Sequence, residues 1–127
     1  MFKIIIAVIL VGISNGVMAL DCTNAENTLA IVDCHTSRYQ VADKELNSLY
    51  SKAMKSLTEP QQAKLKSAQK AWLTFRDASF AFVIEVNKDN GTYGNVVISD
   101  YKAKFVEKRV LELKYLLSSP EDAPVAW

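Results

Sequence analysis

The sequence predicts an all-α fold: an up-down-up three-helix bundle with a disulfide-stapled N-terminal arm. Three observations carry this expectation. Apolar residues recur every three or four positions along three separate stretches. Helix-ending signals fall between those stretches. Two cysteines, Cys22 and Cys34, precede or open the first of them. Apolar side chains at helical spacing share one face, so each stretch reads as an amphipathic helix.

The chain has 127 residues, enough for one domain. Residues 1–19 read as a cleavable signal peptide. Lys3 supplies the positive start, Ile4 to Ile13 the apolar run, and Val17-Met18-Ala19 the small-residue cleavage site. Cleavage after Ala19 makes Leu20 the mature N-terminus. A membrane-spanning helix needs about 20 apolar residues, so this run is too short for a stable anchor. Asp21 before Cys22 argues against lipidation, which calls for a small residue there.

Lys3 is the one charged residue of the leader, and the whole chain carries 15 Lys and Arg against 14 Asp and Glu. The mature chain is therefore formally neutral. It has no global field to attract nucleic acid or anionic lipid, or to steer it to a cationic enzyme. Two cysteines in a small exported protein read first as a disulfide, with a metal site as the alternative. His35 is the only histidine and lies beside Cys34, pointing about 100° away from it on a helix, so the two make a poor chelate. No metal and no cofactor is assigned.

The first stripe runs through Ala42, Leu46, Leu49, Ala53 and Leu57 and predicts a helix over about 29–57, capped by Thr28. The second runs through Leu65, Ala68, Trp72, Phe75, Ser79, Phe82 and Val86, predicting a helix over about 60–87. Thr58-Glu59-Pro60-Gln61 forms its capping box, with proline in the first turn. Asn87 to Gly91 should end that helix. The third stripe runs through Ala103, Val106, Val110, Leu113 and Leu117. Ser99 is its expected N-cap and Ser118-Ser119-Pro120 its end. The domain thus spans 20–119, followed by a loose tail over 120–127.

Twelve residues separate Cys22 from Cys34. On one straight helix their Cα atoms would stand about 18 Å apart, and a disulfide needs less than about 7 Å. The segment before residue 28 must therefore fold back onto the first helix. The Asn87–Ser99 connection is expected to be a loop. Its Asn90, Gly91, Tyr93 and Gly94 mix an aromatic with turn residues and form the candidate partner-binding site. Asn90-Gly91-Thr92 also matches a glycosylation sequon, read here as a turn.

Polar residues near the stripes form a second group: Asp43, Asn47 and Tyr50, then Gln69, Arg76 and Asp77 around Trp72, then Arg109 among Val106, Val110 and Leu113. A charge near a helix seam needs a partner. The expectation is a structural polar network in which Arg76 and Arg109 are held by carboxylates, Asp43 foremost. No nucleophile with a base, phosphate loop or metal motif is present, so an enzyme is not expected.

The same residues resemble a known family. Asp43-x-x-Leu46-Asn47-x-x-Tyr50, then Leu65-x-x-Ala68-Gln69-x-Ala71-Trp72-x-x-Phe75-Arg76-Asp77-Ala78, then Arg109-x-x-x-Leu113, is similar to the LprI-type lysozyme-inhibitor domain. The likeness covers about Cys22 to Leu117. The family usually carries a second cysteine pair, after the Arg-Asp step and before the last helix, and this chain lacks both members. That implies pairing of Cys22 with Cys34. The resemblance implies an exported, periplasmic or secreted protein-binding domain, with lysozyme or another peptidoglycan hydrolase as the partner. The competing reading is an envelope structural or assembly factor that binds another exported protein and inhibits no hydrolase.

Overall fold

The computed structural model describes residues 21–118. The expected signal peptide, the expected start at Leu20 and the tail over 120–127 lie outside them. Three helices follow one another: α1 (Thr28–Ser56), α2 (Glu59–Asn87) and α3 (Gly91–Leu117). They form the expected three-helix bundle, with the arm joined to α1 by the Cys22–Cys34 disulfide at a Cα–Cα distance of 5.7 Å.

The cap of α1 is Asn27, one residue before the expected Thr28. Its side-chain oxygen accepts the Ala30 N–H at 2.9 Å, satisfying a donor that the first turn leaves free. The α2 capping box forms as the sequence predicts. Thr58 Oγ1 accepts the Gln61 N–H at 3.4 Å, and Gln61 Oε1 accepts the Thr58 N–H at 3.0 Å. Gln62 closes the turn by donating to the carbonyls of Met54 and Leu57, both at 2.9 Å. Two residues suffice to reverse the chain there.

The connection between α2 and α3 is a correction. Residues 87–99 are not a projecting loop: α3 begins at Gly91, and only residues 88–90 join the helices. The Asn90 N–H donates to the Asn87 carbonyl at 3.1 Å, and the Gly94 N–H to the Asn90 carbonyl at 3.2 Å. Gly91 takes φ +56, which glycine reaches without a side-chain penalty. A Cβ on Gly94 would lie 2.4 Å from the Asn87 carbonyl oxygen, so the close turn requires glycine there too. Ser99 is not a cap. It is buried within α3, and its hydroxyl donates to the Val96 carbonyl at 3.0 Å.

Helix α3 packs along both α1 and α2, while contact between α1 and α2 is slight. The core unites Ala42 and Leu46 of α1 with Val106, Val110 and Leu113 of α3, and Tyr39, Leu49, Leu65, Trp72 and Phe80 pack against it. Leu46, Val106 and Leu113 are fully buried, each stabilising the fold by about 1.5–3 kcal/mol. Cross-helix pairs set the directions. Arg38 meets Glu107 and Glu45 meets Lys114, so α1 and α3 run parallel; Gln69 meets Arg109 and Phe80 meets Tyr101, so α2 runs against α3.

Helix α2 is rotated from the expected phase. Phe75, Phe82 and Val86 were expected in the core, yet they are 63%, 69% and 54% exposed. The inward face uses Leu65, Gln69, Trp72, Phe80 and Val83. Apolar residues cover roughly half of the circumference of α2, and periodicity alone does not select which part of so wide an arc meets α3. Among the described residues no helix is long and apolar enough to cross a membrane.

Candidate functional site

The polar residues singled out by sequence separate into parts with different surroundings. Arg109 is 6% exposed. Its Nε and Nη2 donate to Gln69 Oε1 at 3.1 and 3.0 Å, and its Nη1 to Glu112 at 2.6 Å. Its guanidinium also lies over the Trp72 ring at 5.8 Å, as does that of Arg76. Arg76 pairs with Asp77, its chain neighbour, at 2.8 Å. Gln69, Arg76, Asp77 and Arg109 are therefore gathered around Trp72 at the α2–α3 seam.

The expected pairing of Asp43 with either arginine is not formed. Arg109 projects from the α2-facing side of α3, where Gln69 supplies the acceptor. Arg76 sits toward the margin of the seam, where its exposed neighbour suffices. Among the described residues Asp43 makes no ion pair. It and Tyr50 are half-buried on α1, and Asn47 is exposed.

A larger ion-pair network joins α1 to α3 through Arg38, which sequence reasoning missed. Arg38 donates to both Glu107 oxygens at 2.9 and 2.7 Å, to Asp100 at 2.9 Å, and lies 2.9 Å from His35 Nδ1. The hydrogen bond to Glu107 holds the Arg38 guanidinium above its already high usual range, against the effect of partial burial. Burial pushes the Asp100 carboxyl up, but hydrogen bonds from Lys104 and Arg38 outweigh it and hold the group below the usual aspartate range. A signal was available: His35, Arg38, Ala42 and Glu45 share one face at helical spacing, as do Asp100, Lys104, Glu107 and Lys114.

These residues rim a groove of about 670 Å³ between α1 and α3, floored by Val41, Ala42, Val110 and Leu111. Its charges are matched but for one. Lys104 binds Asp100, Lys114 binds Glu45 and Arg38 binds Glu107. Asp21, hydrogen-bonded only to Thr23, is the lining charge without an ion-pair partner among the described residues. Its one general-base candidate, His35, has Nδ1 engaged by Arg38. Among the described residues no cluster of three or more His, Cys, Asp or Glu side chains is placed to hold a metal.

The remaining polar surface is divided by charge along the long axis. The start of α1, the end of α2 and the start of α3 share one end of the bundle. Asp21, Glu26, Asp33, Glu85 and Asp89 are exposed there, and Lys88 is bound to Glu85. The Thr23 backbone N–H, at 2.9 Å, holds the Asp21 carboxyl below its usual range. The opposite end carries exposed Lys52, Lys55, Lys64 and Lys66 against Glu59, with Lys70 nearer the middle of α2. Exposed charge is therefore segregated along the long axis of the described residues.

The expected partner-binding residues fall at the acidic end, on the first turn of α3 rather than on a loop. Tyr93 is 70% exposed, Gly94 is buried against Asn87, and Asn90 and Gly91 form the turn itself. The disulfide anchors the neighbouring arm. This end therefore carries exposed acidic side chains and the exposed aromatic ring of Tyr93.

The family model described as Lysozyme inhibitor LprI matches residues 21–113. An uncharacterized protein of Rhizobium meliloti is 26% identical over 115 residues, covering 80% of this chain and 82% of its own. No solved structure matches. The family is one of inhibitors rather than of enzymes.

Proposed function

We propose, from the premise that this chain belongs to the LprI lysozyme-inhibitor family, that it is an exported inhibitor whose acidic end docks on a cationic peptidoglycan hydrolase of the lysozyme type. The leader over residues 1–19 would deliver it to the periplasm or the medium, where such hydrolases act. The segregated charge is the observation that carries this reading. Asp21, Glu26, Asp33 and Asp89 are exposed at the end of the bundle where Tyr93 opens α3, so attraction to a basic surface also orients the approach. Net neutrality, which argued against steering, matters less once opposite charges lie at opposite ends. Tyr93 would then supply contact area at low entropic cost, as exposed aromatics do at protein interfaces.

The test is residual cell-wall-lytic activity of a cationic lysozyme titrated with the disulfide-bonded protein. Inhibition should be strongest near 0.02 M salt and weaken steeply toward about 0.3 M. Asp33→Lys and Tyr93→Ala should each raise the half-inhibitory concentration about tenfold. Absence of any association at low salt would overturn the reading in favour of an envelope structural or assembly factor.

A further inference from the structure

We infer that the open face of α2 is a self-association surface on which a second copy of this chain packs antiparallel. Residues 64, 68, 71, 75, 78, 82, 85 and 89 follow one another in alternating steps of four and three. They read Lys64, Ala68, Ala71, Phe75, Ala78, Phe82 and Glu85 on α2, then Asp89 in the turn just past its end at Asn87. That spacing is the seam of a two-helix coiled coil, with apolar residues in its centre and charges at its ends. All eight are exposed, although one side of the Phe75 ring meets Phe105 of α3 at 5.5 Å.

The seam is self-complementary in one orientation. A two-fold axis placed between Arg76 and Asp77 sets Phe75 level with Ala78 of the second copy and Phe82 level with Ala71. Large thus faces small in each central layer. The same axis brings Lys64 to the turn that carries Asp89 of the second copy, just past the end of α2. Glu85 lies level with Ala68, one turn from that pair. An isologous two-fold contact repeats each of these on both sides. The antiparallel arrangement also lays the acidic end of one copy along the basic end of the other, where Lys64 and Lys66 are exposed. A parallel arrangement would align like charges instead. The central layers of this seam, Ala71, Phe75, Ala78 and Phe82, lie apart from Asp33 and Tyr93, and only Asp89 is shared with the acidic end proposed to meet a hydrolase.

Sedimentation equilibrium of the exported, disulfide-bonded protein tests it. The expected result is a monomer–dimer equilibrium that Phe82→Glu shifts to monomer while leaving the thermal melt of the monomer unchanged. Lys64→Asp should raise the dissociation constant about tenfold, and adding Asp89→Lys should restore it. A wild-type protein that remains monomeric to millimolar concentration overturns the inference. So does a dimer indifferent to Phe82→Glu. A monomeric wild type whose lysozyme binding is lost in Phe82→Glu also overturns it, and assigns the face to the hydrolase.

Discussion

Arg109 donates two hydrogen bonds to a single oxygen of Gln69, and this charge–amide pair holds α2 in register on α3. Both residues are buried, with Gln69 at 9% exposure, so neither can fall back on water when its partner is lost. Gln69→Leu should therefore destabilise the domain by about 2–3 kcal/mol, since it strands part of a buried guanidinium. Urea denaturation should show Gln69→Leu and Arg109→Ala to be coupled by about 1–3 kcal/mol. Asp43→Ala should cost little and show no coupling to Arg109. Coupling to Asp43 instead would mean that the seam is arranged differently in solution.

Trp72 lies beneath this pair, with Phe105 at 5.6 Å and the Arg76 and Arg109 guanidinium groups each at 5.8 Å. Trp72→Ala removes a ring, its packing against Phe105 and two cation–π contacts. The expected loss is about 3–5 kcal/mol. Phe82→Ala, on the open side of the same helix, should shift the monomer's midpoint by less than about 0.5 kcal/mol. Thermal or chemical melts of the two variants side by side would check the rotation of α2 directly. Equal losses would return Phe82 to the core.

That rotation marks where sequence reasoning stops. Ala42, Leu46, Ala53, Ala103, Val106, Val110 and Leu113 are buried where their spacing puts them, because period follows from helix geometry alone. Thr58 and Gln61 cap α2 as expected, because a capping box is a local contact. Residues 91–98 were expected as loop, since glycine is a poor helix former. They are helical because the tight turn needs Gly94 close to the Asn87 carbonyl, a contact between elements. Asp43 was expected to hold Arg76 or Arg109, and Arg38 was not singled out, for a similar reason. Which charges meet across two helices depends on their relative rotation, and one sequence carries no record of it. The expected partner residues Asn90, Gly91, Tyr93 and Gly94 lie at the start of α3 rather than on a loop, and the acidic residues at their end of the bundle come together only when three chain segments meet.

The disulfide should act on the arm and on α1 more than on the rest of the bundle. It closes a loop of twelve residues and limits the freedom of the unfolded chain, a contribution of about 3 kcal/mol. Cys22→Ser with Cys34→Ser should lower the unfolding midpoint accordingly. Hydrogen exchange should speed up for residues 21–34 first, with little change at Val106 and Leu113. Uniform acceleration through α3 would show that the staple supports the whole core.

Acid should weaken the α1–α3 seam through Asp100. Burial raises its pKa, but Lys104 and Arg38 lower it further by hydrogen bonding, at 2.5 and 2.9 Å, so the folded value lies below the unfolded one of about 3.9. A carboxyl shifted this way contributes stability that is fully present above its unfolded pKa. The contribution is lost as pH falls through the folded value, because the unfolded chain then takes up the proton more readily. The stability curve should therefore be flat in this contribution above about pH 5 and decline below about pH 4. Asp100→Asn should be less stable than wild type at neutral pH and should show a shallower acid decline, with the two proteins converging near pH 2. Chemical denaturation at a series of pH values measures both curves. Parallel curves would show that Asp100 carries none of the acid sensitivity, leaving Glu107 as the carboxylate that ties Arg38 of α1 to α3.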